Sequence, residues 1–448
     1  MLQEKGLILK KKNYDLTLLL IIMALLVYYL IIAYNLLFNK NPDELLRYKI
    51  PLYIYRHGAL PVGTNKEVML PFGNFSYAYY PQLLGGILSS IFMKIMSLFS
   101  TKPTLLVFAA RWTSSIFGII TVYFTAKSCK LLTNKRILSY AAAVIIGLLP
   151  QFTYLSAYVN NDVIAIAGVS ILIFSLIIAT KRKWNYKVAV LFAGGIIVCL
   201  LGYLNSIPFV LLGICYAIFT IVNQYKTGEV SGKSAMKIVG LSIVIVLLFA
   251  SPLYIRNYCL YHDFTGAKAF NDANQRWLIS TGKQTMNPYN GSIIRMMLDS
   301  NWMVTTLKST VSLFGYMSVT PKVGYYIFYL LFFYTGILFK IVLTKINLDN
   351  TTKLKKIFDI LMLLGVILTI CLSIYRSATT DFQPQGRYIL TIFPIIVIWW
   401  IEGINKFSIL LVNNIKIKCY IYIPVICYVV LSLWCVLRYV ILNPLLVG

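Results

Sequence analysis

A run of about 22 apolar residues, TLLLIIMALLVYYLIIAYNLLF from Thr17 to Phe38, leaves this chain little choice of surroundings. A helix of that length crosses a hydrocarbon core of roughly 30 Å, and inside that core its backbone polar groups must be satisfied internally. Apolar runs near 104–125, 137–153, 163–180, 188–205, 207–224, 238–255, 323–344, 357–375, 387–404 and 419–440 repeat the pattern. With 59% hydrophobic and 12% charged residues and a mean hydropathy of +0.76, the 448 residues carry more apolar surface than a soluble core can hide. The expected fold class is an all-α polytopic membrane protein, one integral membrane domain over 1–448 with about eleven crossings. The first run lacks a small-residue cleavage site and reads as a retained anchor.

The net charge of +27 does not mark a nucleic-acid binder, because the lysines form short clusters between apolar runs and not one basic domain. Besides the N-terminal KGLILKKK, they are AKSCKLLTNKR (126–136), KRKWNYK (181–187), KTGEVSGKSAMK (226–237), KINLDNTTKLKK (345–356) and KFSILLVNNIKIK (406–418). Lysine-rich loops face the cytoplasm. Placing every cluster there lets the apolar runs alternate without conflict, with the N-terminus cytoplasmic and a plasma-membrane location. It also forbids the stretch PQLLGGILSSIFMKIMSLF (81–99) from crossing, so that stretch is expected to lie at the outer interface, starting from Pro81. The extracytoplasmic face then consists of 39–103, a turn at Asn160 to Asp162, 257–322 and 377–386.

Eight cysteines sit mostly in apolar runs without paired spacing and read as core hydrophobes. His57 and His262 have no partners at ligand spacing, and no phosphate-binding glycine loop occurs. No metal ligand is assigned, and dependence on a divalent metal is left open.

Arginine is distributed differently from lysine. Arg136 and Arg182 fall on the cytoplasmic side, whereas Arg47, Arg56, Arg111, Arg256, Arg276, Arg295, Arg376, Arg387 and Arg438 fall outside or in outer halves of spans. The planar fork of arginine matches phosphate oxygens, which points to a phosphate-bearing ligand at the outer surface; pairing with carboxylates or snorkelling to headgroups is the alternative. The acids share the bias: Asp43, Glu44, Glu67, Asp162, Asp263, Asp272, Asp299 and Asp381 are outside. Asp43 and Asp162 stand at ends of spans, where burial shifts a carboxyl. Adjacent carboxylates cannot point the same way, so Asp43 and Glu44 have separate tasks, although Asn41-Pro42-Asp43 is also a helix-start signal. Aromatic residues in FGNFSYAYYPQ (72–82) and LFGYM (313–317) serve either as an interfacial belt or for stacking on a sugar ring.

The order of a carboxylate pair after the first span (Asp43-Glu44), an aromatic-Pro-x-Leu start (Tyr80-Pro81-Gln82-Leu83) and an arginine in the second span (Arg111) resembles the opening of the GT-C superfamily. These are polyprenyl-phosphate-dependent glycosyltransferases, among them protein O-mannosyltransferases and lipid A aminoarabinose transferases. PQFTYLSAYVNNDVIA (150–165), RNYCLYHDFTG (256–266), LKSTVSLFGYM (307–317) and PQGRYILTIFP (384–394) resemble a poorly characterised bacterial family of that clan. The resemblance implies a GT-C fold with juxtamembrane helices in the first outer loop and a polyprenyl-phosphate sugar as donor. It also implies Asp43 as base supported by Glu44 and Asp162, and Arg47, Arg56, Arg256, Arg376 and Arg387 at the donor phosphate. Tyr80, Gln82, Asn161, Tyr316, Gln385 and Tyr388 are expected to line the substrate pocket. Two departures stand out: the Lys-Pro-Pro-Leu of the aminoarabinose transferases is replaced by Tyr80-Pro81-Gln82-Leu83, and no large soluble C-terminal domain of the kind oligosaccharyltransferases carry is expected. The acceptor, a glycan, lipid or protein, must then be read by the outer loops. The rival readings are a transporter or flippase for a lipid-linked sugar, for which Asp359 and Glu402 are the pertinent acids, and a polysaccharide polymerase or ligase with a lipid diphosphate donor.

Overall fold

The computed structural model describes residues 15–70, 76–282, 287–289, 291–345, 352–410 and 422–447. The N-terminal basic cluster, parts of the clusters at 345–356 and 406–418, Cys419 and residues 72–75 lie outside the described residues.

The chain runs through α1 (Leu16–Asn35), α2 (Glu44–His57), α3 (Leu84–Ser97), α4 (Pro103–Thr133), α5 (Arg136–Leu148), α6 (Pro150–Leu155), α7 (Asp162–Arg182), α8 (Tyr186–Gly202) and α9 (Ile207–Lys226). It continues through α10 (Gly232–Tyr261), α11 (Ala267–Thr281), α12 (Ile293–Asp299), α13 (Trp302–Val311), α14 (Val323–Lys345), α15 (Lys353–Thr379), α16 (Phe393–Leu410) and α17 (Ile423–Val436). Among the described residues there is no strand, only the isolated bridges Leu36 to Val447 and Phe314 to Val319. Among the described residues nine helices are long and apolar enough to cross a membrane, and the shorter α5 and α8 occupy the two remaining positions where a crossing is expected.

The helices are apolar on both faces. On α1, Leu18, Ile22, Leu25, Tyr29 and Ile32 are buried at helical spacing, while Leu16, Leu20, Met23, Val27 and Ile31 are exposed. In water the second stripe would be costly; against lipid it is the expected surface. The centre is α7, buried over nearly its whole length between α4, α8, α9 and α16. Small residues set its distance to α8: a Cβ on Gly168 would lie 2.7 Å from the backbone nitrogen of Cys199.

Three details differ from the sequence reading. The run 137–153 is not one helix, because Pro150 disfavours helical ψ at Leu149 (ψ 121°), so α5 ends and α6 begins afresh. The helix expected over 81–99, α3, starts at Leu84 rather than Pro81, and packs on α2 and α4. Of the described cysteines only Cys129, Cys199 and Cys435 are core residues; Cys215, Cys259, Cys371 and Cys427 lie on the outward stripes of their helices and are exposed.

Candidate functional site

The loop between α1 and α2 sets the geometry. Asp43 occupies the N-cap position of α2, but its backbone is left-handed (φ 60°) and its side chain makes no capping bond. A left-handed non-glycine residue costs roughly 1–3 kcal/mol and persists only where its surroundings fix it. Here they do, through the next residue. The Glu44 carboxylate is fully buried and receives Nε and Nη2 of Arg111 at 2.7 and 3.0 Å. It also accepts from Asn41 Nδ2 (2.7 Å) and from the backbone nitrogens of Asn39 (3.2 Å) and Val159 (3.4 Å). Arg111 completes the net by donating to the carbonyls of Ala33 and Leu36, each at 2.7 Å. Glu44 is thus turned away from Asp43 and saturated.

Freed from capping, Asp43 points toward the start of α16. Its Oδ2 accepts from Arg387 Nη2 at 2.6 Å, and its side chain remains 28% exposed. Arg387 Nη1 lies 3.8 Å from Asp162 Oδ2, so one guanidinium bridges both carboxylates. The rest of its fork is engaged too: Nε donates to Gln385 Oε1 (2.6 Å), Nη2 to Tyr388 OH (2.9 Å) and Nη1 to the Pro42 carbonyl (3.5 Å). Asp162, at the first turn of α7, is buried, and among the described residues its Oδ1 has no partner, nor has the neighbouring buried Tyr158 hydroxyl.

Two further cations face this centre without hydrogen-bonded partners among the described residues. Arg47, one turn into α2 and 7% exposed, lies 3.6 Å from the Tyr77 ring centroid and 5.2 Å from that of Tyr203. Arg376, at the end of α15, sits in the field of Tyr203, Tyr80, Tyr388 and Tyr77 and forms no salt bridge among the described residues. Burial pushes the Asp43 carboxyl up, but the charges of Arg387 and Arg47 and a hydrogen bond from Tyr77 prevail and hold it below the ordinary aspartate value. Asp381 goes the other way: burial and the charge of Asp43 raise its carboxyl, against Gln383 and Arg376. A hydrogen-bonded chain from Asp381 through Gln383 and Tyr388 to Arg387 ties the 380–385 loop to Asp43.

The structure therefore brings Asp43, Asp162, Arg47, Arg376, Arg387, Tyr80, Gln385 and Tyr388 to one end of the bundle, with Tyr316 at its rim. It does not bring Arg56, which pairs with exposed Glu67 at 3.8 Å, or Arg256, which donates to the carbonyls of Leu60 (3.3 Å) and Pro61 (2.8 Å). Gln82 and Asn161 tie segments together, Gln82 donating to the Leu200 carbonyl and Asn161 to the carbonyls of Gln82 and Gly202. Sequence reasoning missed Tyr77, Tyr203, Gln383 and Asp381. Tyr77 and Asp381 stood in segments already assigned to the outer face; Tyr203 sits at the joint of two apolar runs and carried no signal. Among the described residues no three histidine, cysteine or acidic side chains form a metal-binding group.

No family model and no curated protein matches the sequence. Among solved structures, the aminoarabinose transferase ArnT from Cupriavidus metallidurans in the apo state superposes with a TM-score of 0.50 at 11% identity, over 87% of this chain and 59% of that one. ArnT bound to undecaprenyl phosphate gives 0.47 at 11% identity, over 94% and 70%. The Archaeoglobus fulgidus oligosaccharyltransferase in complex with Zn and sulfate gives 0.48 at 13% identity, over 94% and 52%. The chain spans about three fifths of the length of the first of these. The likeness to apo ArnT is one of architecture, and with the all-helical, polytopic arrangement above it identifies the chain as a protein of the GT-C fold.

Proposed function

We propose that the protein transfers a sugar from a polyprenyl-phosphate donor to an acceptor hydroxyl at the extracytoplasmic face of the plasma membrane. The observation that carries this reading is Asp43: a partly exposed carboxylate kept ionised by Arg387, with the Arg47 charge acting on it and Arg376 among the same tyrosines, two guanidinium groups that make no salt bridge among the described residues. The acceptor oxygen attacks the anomeric carbon, Asp43 takes its proton, and the bond from that carbon to the phosphate oxygen breaks with its electron pair passing to the phosphate. Inversion follows from a single displacement. Arg47 and Arg376 meet the charge that develops on the leaving phosphate. Arg387, with all three nitrogens occupied, keeps Asp43 in place, and Asp162 holds Arg387 from the far side. Transport finds less support, since Asp359 and Glu402 are both paired with Lys340 and Lys355 at 2.8–3.0 Å.

The test is purified protein in nanodiscs with a radiolabelled polyprenyl-phosphate sugar, following release of polyprenyl phosphate. A hydrogen bond to a charged group contributes roughly 1.5–3 kcal/mol, so Arg376→Ala and Arg47→Ala should each raise the donor KM by about 10- to 100-fold. Absence of turnover with every monophosphate donor, alongside turnover of a lipid diphosphate, would move the protein to the polymerase reading.

Arg387→Gln provides a second check. Removing the guanidinium leaves the burial that raises the Asp43 carboxyl, so the acid limb of kcat/KM, expected below the ordinary value of 3.8, should move upward. An unmoved acid limb would mean that some other group titrates.

A further inference from the structure

The rim of the site carries a feature that donor binding does not use, and we propose that Tyr316 and Asn39 form an acceptor subsite for a sugar ring, so that the acceptor is a glycan. This rests on the transferase reading of Asp43. Tyr316 stands at the tip of the 313–319 turn, closed by the Phe314 and Val319 backbone bonds of 3.1 and 3.2 Å. The turn is bolted to the bundle: Leu313 N donates to Gln151 Oε1 (3.0 Å), Gly315 N donates to Tyr154 OH (3.1 Å), and Tyr154 OH donates to Asn41 Oδ1. Asn41 in turn donates to Glu44, so the turn and the backbone of Asp43 share one support.

On that support Tyr316 is 57% exposed, yet its ring is not free, because its hydroxyl donates to Asn39 Oδ1 at 3.0 Å. The charges of Asp43, Glu44 and Arg387 all act on it, and Asn39, its hydrogen-bond partner, lies four residues before Asp43, which puts it at the rim of the site. Asn39 is itself fixed, with a left-handed backbone (φ 61°) and its nitrogen on Glu44 Oε2 at 3.2 Å. Since its side-chain oxygen takes the Tyr316 hydroxyl, its amide nitrogen is directed elsewhere, and among the described residues it has no acceptor. An immobilised aromatic face beside an outward amide donor suits a pyranose, whose C–H face stacks on the ring while a hydroxyl takes the amide hydrogen. A lipid acceptor would favour a continuous apolar surface here, whereas Asn39 and Lys40 are polar and exposed. A peptide would favour an open strand edge, and the 313–319 turn already pairs with itself.

The experiment compares transfer to a glycan with donor hydrolysis by water in the same nanodisc preparation, for wild type, Tyr316→Ala, Asn39→Ala and Tyr316→Trp. The expected result is a fall of at least tenfold in glycan transfer relative to hydrolysis for the two alanine variants, with Tyr316→Trp near wild type because it keeps an aromatic face. An unchanged ratio in Tyr316→Ala, as for a tyrosine that only anchors at the interface, overturns the proposal, as does transfer to peptide or lipid but not to glycan. Saturation-transfer NMR with methyl β-glucoside is independent of turnover. Signal in wild type that is lost in Tyr316→Ala supports the subsite even if the donor assignment fails, and no signal in wild type refutes it.

Discussion

Asp43→Asn is expected to abolish sugar transfer while the protein stays folded and inserted. General-base assistance contributes about 10²- to 10⁴-fold, and the amide cannot accept the proton. Its carbonyl oxygen can still receive Arg387, and Arg387 keeps Gln385, the Pro42 carbonyl and Asp162 as partners, so the local packing survives. The fold has little at stake, because Asp43 makes no capping bond and its side chain is partly exposed. Transfer by the Asn variant at wild-type rate would remove Asp43 from the chemistry and leave Asp162, whose Oδ1 has no partner among the described residues, as the candidate on the other side of Arg387. The pH dependence of stability has a defined sign. Arg387 lowers the Asp43 carboxyl in the folded protein, so the pair stabilises the fold above the ordinary aspartate range, and that contribution is lost as pH falls through the lowered value.

What the sequence revealed followed from where information is local. Apolar runs of spanning length are local, and every expected crossing has an apolar helix at its place, with 81–99 yielding the separate short helix α3. The excess of arginine and acid in the segments assigned to one side was also visible, and Asp43, Asp162, Arg47, Arg376 and Arg387, all drawn from it, lie together. Their division of labour was not visible, because it depends on pairing across the bundle. Arg387 was read as a phosphate fork, yet it reaches 344 residues back to Asp43, whereas Arg47 keeps its guanidinium on tyrosine faces. Arg256 looked like Arg387, a span-end arginine, but the carbonyls of Leu60 and Pro61 absorb it. The helix-start signal at Asn41-Pro42-Asp43 was real as a position and misleading as a bond, since a left-handed N-cap points its side chain away from the helix.

In the proposed mechanism the pair Asp43-Glu44 divides the work between chemistry and support, and Arg111→Met should expose the second half. Glu44 and Arg111 are both almost completely inaccessible, so removing the guanidinium leaves an ionised group buried without its countercharge and strips the Ala33 and Leu36 carbonyls of their donor. Breaking such a buried pair costs roughly 3–5 kcal/mol, and the melting temperature should fall accordingly. Activity should fall as well, because Glu44 is what pins the strained backbone of its neighbour Asp43. The double variant Arg111→Met, Glu44→Leu separates the two effects. With no charge left to strand, it should regain most of the lost stability, as replacing both partners of a buried pair is commonly near neutral. It should not regain transfer, because the anchor beside Asp43 is still missing. A double variant less stable than Arg111→Met alone would show that Glu44 is held mainly by Asn41 and the backbone donors; recovered transfer in it would show that Asp43 keeps its geometry without Glu44.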